Sequence, residues 1–157
     1  MPPLVKTWEF WSAVPFFGRW IFSWLVSFYA PYTGTLPFRV NTLDSSKCIT
    51  NLYDWFWIRN PFSSIHAAAL TNLGECTMGF AMIAWGERNG YRVIPIRLDV
   101  EFLAKARGYL TATCDLQNLA NPGDSETVVT NIYNAKGELV CRVTGTWKVS
   151  PKKKELK

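Results

Sequence analysis

The chain has 157 residues, which is enough for one domain with a buried core. Hydrophobic residues make up 48% and charged residues 18%, a globular composition that excludes a disordered chain. The net charge is +5, but residues 151–157 hold four Lys and one Glu, and the rest has only 13 basic and 11 acidic residues, so we expect no nucleic-acid binding.

Residues 1–31 are predicted to form an aromatic N-terminal helical extension, broken at Pro15 and ended at Pro31. Its apolar run, Trp20 to Ala30, is shorter than the roughly 20 residues that span a bilayer. Two interpretations stay open. The extension packs on the body of the protein or on a second copy, or residues 1–30 make a peripheral membrane contact, since Trp and Tyr favour the membrane interface.

Residues 32–150 are predicted to form one domain, followed by a basic tail at 151–157. The order is a hairpin that turns at residues 43–47, a helix from about Ser64 to Glu87 that Asn89 and Gly90 close, and four strands. Ser63 or Ser64 is the expected N-cap. One long helix between a hairpin and a strand meander predicts an α+β fold in which the helix lies across the concave face of an antiparallel sheet.

The first strand after the helix alternates apolar and polar residues, which predicts one buried face. The predicted buried residues are Ile94, Ile96, Leu98, Val100 and Phe102. Pro95, on the other face, indicates an edge strand or a bulge.

The four cysteines are spread along the chain without a C-x-x-C pair, which is typical of reduced core residues. They favour a thiol-reducing compartment, the cytoplasm, with the mitochondrion as an alternative. One histidine and no carboxylate cluster make a metal site improbable, and no nucleotide-binding motif occurs, so we expect no cofactor. Cys76 lacks a base at a suitable angle and is not expected to be a nucleophile.

Glu75 is the unusual residue of the long helix, because its helical face carries small or polar neighbours such as Asn72 and Gly79. This predicts a shallow gap into which a thin ligand could enter. A partly dry carboxylate binds a proton more tightly and suits a general base for water. The alternatives are a solvated glutamate or one paired with Lys or Arg.

His66 lies at the predicted helix start, with Asn60 six residues before it and Glu75 nine after it. Nine helical steps place His66 and Glu75 on opposite sides, about 13 Å apart along the axis, so one reaction could use both only across two copies of the chain. The free N–H groups of residues 64–67 and the Asn60 amide favour a developing oxyanion. The alternative role for His66 is capping or packing.

The N-x5-H-x8-E pattern of Asn60, His66 and Glu75 resembles that of the hotdog-fold acyl-CoA thioesterases of the phenylacetyl-CoA thioesterase-like type. The segment Glu101 to Thr113 and the strand order are similar as well, so the resemblance covers residues 32–149. The chain departs from the family pattern at Ala67 and Ala68 where Gly-Gly is common, with Glu in place of Asp at the acidic position, and at Pro61, Ser63 and Pro95.

The resemblance implies a curved antiparallel sheet wrapped around one long helix, and a homodimer or dimer of dimers with active sites at the dimer interface. It implies that Glu75 activates or orients water and that the Ala67 N–H and the Asn60 side chain hold the thioester oxygen. His66 would polarise that pocket, and Lys105 and Arg107 would meet the phosphates of coenzyme A, unless they are only solvated loop charges.

The expected function is therefore hydrolysis of an acyl-CoA or acyl-carrier thioester in lipid metabolism. The aromatic extension would favour a medium or long acyl chain or an aromatic acyl group. The alternatives are an acyl-binding, isomerase or dehydratase-type protein, or a non-catalytic dimeric module that docks on a membrane or a partner.

Overall fold

The computed structural model describes residues 3–116, 119 and 122–152. Three helices are described, namely α1 (Leu4–Ser12), α2 (Gly18–Tyr29) and α3 (Ala67–Asn89). The strands are β1 (Phe38–Leu43), β2 (Lys47–Leu52), β3 (Tyr91–Phe102), β4 (Leu110–Asp115), β5 (Ser125–Asn134) and β6 (Leu139–Pro151). Two 3₁₀ turns lie at Thr33–Thr35 and Phe56–Ile58.

The six strands form one antiparallel sheet in the order β1-β2-β4-β5-β6-β3. The curved sheet wraps around α3, which contacts every strand. The α+β architecture with one long central helix is therefore the hotdog fold, as the sequence predicts.

Helix α3 lies close to β6, and two glycines allow this approach. A Cβ added at Gly74 would overlap the side chain of Val143, and one at Gly145 would overlap the sulfur of Met78. The buried residues of α3 include Leu70, Leu73, Thr77, Phe80 and Ala84. Gly74 and Gly145 thus set the distance between α3 and β6, and this distance fixes where the first turn of α3 lies.

The turns and helix ends agree with the sequence analysis in most places. The hairpin β1–β2 closes through Asp44, whose Oδ1 accepts the N–H groups of Ser46 and Lys47, each at 2.8 Å. Helix α3 ends at Gly90, where φ is 77°, a left-handed conformation that favours glycine. The extension divides into α1 and α2 on either side of Pro15.

The structure of β3 shows that the predicted single buried face is wrong. It is an edge strand, and its pairing with β6 shifts between Pro95 and Arg97, so Ile96 forms a bulge. The bulge changes the face on which side chains lie, so Ile94 and Leu98 cannot belong to one continuous buried face. Ile94 and Ile96 are 56% and 59% exposed, and of the five residues predicted to be buried only Val100 is partly covered. The edge position and the bulge that Pro95 indicated are both present.

Both N-terminal helices pack on this body. The carboxylate of Glu87 on α3 accepts the first N–H groups of α1, from Leu4 at 2.8 Å and Val5 at 2.9 Å. The hydroxyl of Ser23 on α2 accepts the N–H of Val40 at 2.9 Å, so α2 covers part of the free edge of β1. Within the described residues, no helix is long and apolar enough to cross a bilayer.

Candidate active site

The segment 58–66 leads into α3 and is fixed by backbone hydrogen bonds. The Oδ1 atom of Asn60 accepts the N–H groups of Phe62 at 3.0 Å and Ser64 at 3.1 Å, and the N–H of Ile65 donates to the carbonyl of Ala106 at 2.8 Å. Because its oxygen is held by the loop, the amide nitrogen of Asn60 has a defined direction. Asn60 therefore shapes the loop, and its two amide N–H donors have no acceptor among the described residues.

His66, rather than Ser63 or Ser64, is the N-cap of α3. Its Nδ1 accepts the N–H of Ala68 at 3.0 Å, so the neutral imidazole carries its proton on Nε2. The expected serine cap is wrong because Ser64 is buried before the helix begins and its hydroxyl donates to the carbonyl of Ala106 at 3.1 Å. Ser63 occupies a left-handed turn, with φ of 55°. The capping role that the sequence left open for His66 is thus present.

One cavity joins the side chain of Asn60 to the start of the helix. It has a volume of about 340 Å³, and Ala67, Phe102 and Lys105 also line it. The N–H of Ala67 is the first of the helix, and it has no hydrogen-bond acceptor among the described residues. The cap on Ala68 therefore leaves the Ala67 donor free, at the positive end of the helix dipole and next to an amide.

His66 and Asn72 line a different cavity, of about 200 Å³. Trp57 and Arg59 also line it, and it does not include Asn60 or Ala67. Within one chain the structure therefore groups Asn60 with Ala67 and Lys105, and His66 with Asn72.

Glu75 lies two turns into α3 and is half-buried. Burial raises the pKa of its carboxyl above the ordinary value for glutamate. The carboxylate forms no hydrogen bond or ion pair with any described residue, so the predicted alternative of a Glu paired with Lys or Arg is wrong for the part of the chain that the structure describes. Gly79 lies beside it, since a Cβ on Gly79 would be 3.7 Å from Oε1 of Glu75.

Glu75 lines neither of the two cavities. The eight helical steps from Ala67 to Glu75 span about 12 Å along the axis, so within one chain the carboxylate cannot reach an acyl group held at Ala67. A second chain would be needed to bring all the predicted residues together.

The basic loop after β3 is exposed. Lys105 lines the Asn60 cavity, whereas Arg107 donates to the carbonyl of Phe62 at 3.4 Å and so holds the adjoining loop. Cys76 is buried, and burial raises the pKa of its thiol far above the ordinary value, which opposes a role as nucleophile. All four cysteines are free and buried, as predicted.

Asp54 is a site residue that sequence reasoning missed. It accepts the Nε–H of Arg59 at 2.7 Å and the N–H of Gly108 at 2.9 Å, and so joins the two loops around the Asn60 cavity. Partial burial raises its pKa, but the bonds from Arg59 and Gly108 outweigh burial and hold the pKa below the usual range. The partners are five and 54 residues away in sequence, so no local pattern marks this role.

The comparisons agree with this architecture. Residues 18–149 match the family model described as a domain of unknown function, DUF4442, and the chain belongs to that family. A sequence search of curated proteins found no match.

Solved structures with the same fold include a structural-genomics protein labelled APC5556, at 22% identity and a TM-score of 0.78, with 94% of this chain and 97% of that chain covered. The thioesterase SAV0944 from Staphylococcus aureus aligns at 16% identity and a TM-score of 0.68, over 77% of this chain and 99% of that one. Thioesterase PA1618 from Pseudomonas aeruginosa aligns at 16% and 0.66, over 76% and 86%. At these identities the likeness shows the hotdog fold.

Proposed function

We propose that the protein is a thioesterase that hydrolyses acyl-CoA or acyl-carrier thioesters to a carboxylic acid and a free thiol. One observation carries the proposal, namely that the free N–H of Ala67 and the side chain of Asn60 line one cavity at the start of α3. A cavity at a helix N-terminus that is lined by two residues with such donors suits the oxyanion of acyl transfer. The thioesterases that share the fold support this reading.

In the proposed reaction, Glu75 removes a proton from water, and the resulting hydroxide attacks the thioester carbon. The carbonyl oxygen becomes an oxyanion that accepts hydrogen bonds from the Ala67 N–H and the Asn60 amide. The intermediate then collapses, the carbon–sulfur bond breaks, and the thiolate takes the proton held by Glu75. The raised pKa of Glu75 makes the carboxylate a better base than an exposed glutamate.

The same site suggests the substrate. Lys105 lines the cavity and is exposed, so its ammonium can meet a phosphate of coenzyme A or of a carrier-protein arm. Phe102, Leu103 and Leu70 give the rest of the cavity an apolar lining. A medium or long acyl chain, or an aromatic acyl group, suits this lining. His66 lines the neighbouring cavity and not this one, so in this scheme it shapes the pocket only by capping α3, which leaves the Ala67 N–H free.

The proposal requires a homodimer, because Glu75 and the Ala67 donor of one chain are too far apart. Strand β3 supports one, since it is an edge strand with no outer neighbour among the described strands, and its residues Ile94 and Ile96 are exposed. The outer edge of such a strand presents N–H and C=O groups on which a second strand can pair. If two copies join through β3, each site takes its carboxylate from one chain and its donors from the other.

A mixing experiment tests both the chemistry and the shared site. We expect Glu75→Gln and Asn60→Ala each to lower thiol release from acyl-CoA by about 100-fold, the usual scale for losing a catalytic base or an oxyanion donor. Co-expressed, the two variants form mixed dimers with one intact site of two. Random pairing makes half the dimers mixed, so activity should return to about a quarter of wild type.

Each outcome has a clear meaning. Unchanged thiol release by Glu75→Gln would remove Glu75 as the base. Inactive single variants that stay inactive when co-expressed would show that both residues act within one chain, and the shared site would be wrong. Glu126→Gln, a partly exposed residue on β5, is the matched control and should leave the rate unchanged.

A further inference from the structure

The extension presents an exposed aromatic surface that the proposed chemistry does not use. Five exposed aromatic residues recur at intervals of four, namely Phe16, Trp20, Trp24, Phe28 and Tyr32. The side chains of Trp24 and Phe28 are 67% and 71% exposed. The rings of Trp24 and Phe28 stack at 6.3 Å. Soluble proteins rarely expose apolar patches of this extent unless the patch binds something.

A second group of rings continues this surface. Trp55 and Trp57 stack at 5.0 Å, and Phe56 lies edge-on to Trp57 at 5.3 Å. A cavity of about 350 Å³ connects the two groups, because Trp20 lines it together with Tyr53, Trp55 and Trp57. These residues form one aromatic face, defined here as Phe16, Trp20, Trp24, Phe28, Tyr32, Tyr53, Trp55, Phe56 and Trp57.

The turn before α2 holds an aromatic residue outward at a conformational cost. Phe16 has a φ of 62°, a left-handed backbone that a bulky residue rarely adopts, and it is 89% exposed. The N–H of Phe17 donates to the carbonyl of Pro15 at 2.7 Å and closes the turn. The ring of Phe16 packs on no other aromatic ring among the described residues, so the outward side chain suits an external environment.

The charged residues around the aromatic face indicate what kind of partner it binds. Residues 10–43 contain no Asp or Glu, and their only charged residues are Arg19 and Arg39. The guanidinium of Arg39 lies 4.8 Å from the ring of Trp20, and its Nε has no hydrogen-bond partner among the described residues. The second group of rings adds one carboxylate, Asp54, which is paired with Arg59 at 2.7 Å. Arg19 and Arg39 form no ion pair with a described residue. Aromatic rings beside such cations are typical of surfaces that lie at the headgroup level of a bilayer.

We propose that the aromatic face binds the interface of a lipid bilayer, with the rings among the acyl chains and Arg19 and Arg39 at the phosphates. The face lies beside β1, at the opposite sheet edge from β3, so dimerisation through β3 leaves it free. Two copies of the face in one dimer would bind together and increase the avidity. The inference does not depend on the hydrolytic activity.

Flotation with vesicles tests the full-length chain. We expect it to float with phosphatidylcholine vesicles, more strongly when phosphatidylserine is included at low salt, and its tryptophan emission to shift to shorter wavelength. The double variant Trp24→Glu, Phe28→Glu should bind at least about tenfold more weakly, since two acidic groups would enter the interface. Val129→Glu places the same charge on the exposed face of β5 and is the matched control.

If the double variant does not fold, as judged by circular dichroism, Phe16→Asn gives an independent test. Asn tolerates a positive φ, so this variant keeps the turn while it removes the most exposed ring, and its binding should also fall. Absence of flotation with both vesicle types would overturn the proposal. So would flotation that none of these substitutions weakens, or a fall in molar mass of the double variant in lipid-free solution, which would assign the face to a second copy.

Discussion

Glu75 combines two properties that oppose each other. Its half-buried position raises the pKa of the carboxyl, which improves it as a base and also makes the ionised form unfavourable in the folded protein. Between the pKa of an unfolded glutamate, about 4.3, and the higher folded value, the folded protein binds more protons than the unfolded chain. The free energy of unfolding therefore falls as pH rises through this window, and the full cost is present above it.

We expect Glu75→Gln to increase the free energy of unfolding at pH 7, because the neutral amide avoids the cost of burying a charge. Near pH 3, well below the unfolded pKa of about 4.3, the carboxyl is protonated in both states and the gain should vanish. Urea denaturation at both pH values measures the difference. A variant that is less stable at pH 7 would mean that the carboxylate has a favourable partner in the assembled protein.

The same residue shows what the sequence could reveal of the site. The spacing of Asn60, His66 and Glu75 along a helical pattern located the start of α3 and the half-buried carboxylate, because helical geometry is local and regular. The cap was misassigned because Ser64 resembles a cap by type, while its hydroxyl is engaged by Ala106, 42 residues away. Asp54 was missed for the same reason, since its partner Gly108 comes from a distant loop.

At the scale of elements, the position of α1 depends on one carboxylate. Glu87 accepts two otherwise unpaired N–H groups at the start of α1, and Leu4, Val5 and Trp8 of that helix are buried in the core. The salt bridge between Arg88 and Glu9 joins the same two helices at 3.3 Å but is largely exposed. Partly buried, charge-assisted hydrogen bonds to helix N–H groups contribute more than exposed ion pairs.

We therefore expect Glu87→Ala to lower the free energy of unfolding by about 2 kcal/mol, because two charge-assisted hydrogen bonds are lost. The N-terminal segment should also become sensitive to limited proteolysis. Arg88→Ala, the neighbouring control, should change stability by less than about 1 kcal/mol. Equal effects of the two substitutions, measured by denaturant unfolding, would show that the exposed ion pair and not the cap holds α1.

Among the strands, sequence periodicity predicted their presence and order but not the faces of β3. A period of two assigns faces correctly only while the register is unbroken. The bulge at Ile96 interrupts the register. Pro95 indicated a bulge, but a proline does not predict on which face of the sheet the side chains after the bulge lie. Register shifts also lie between Val40 and Thr42 of β1 and between Ile132 and Tyr133 of β5, and no proline marks either of them in the sequence.

At the scale of the whole molecule, the two sheet edges differ in how they are protected. Helix α2 covers part of the β1 edge through Ser23 and Val40, whereas β3 has no neighbour on its outer side among the described strands. An uncovered edge with exposed apolar residues invites pairing with an identical edge, which would give a closed two-fold dimer. The proposed active site needs the same dimer. Pairing through β3 would therefore both cover the exposed edge and complete the active site.

Charges placed on this edge should separate the copies. We expect Ile94→Lys with Ile96→Lys to convert a dimer into a folded monomer, because lysines on an edge strand oppose edge-to-edge pairing and like charges would meet across the two-fold axis. Thiol release should be lost with the dimer, because each site would lose the Glu75 carboxylate that the second chain supplies. Light scattering after gel filtration measures the molar mass, and Val129→Lys on β5 should leave both mass and activity intact. A monomeric double variant with full activity would mean that Glu75 and Ala67 need no second chain, contrary to the helical spacing that separates them by about 12 Å.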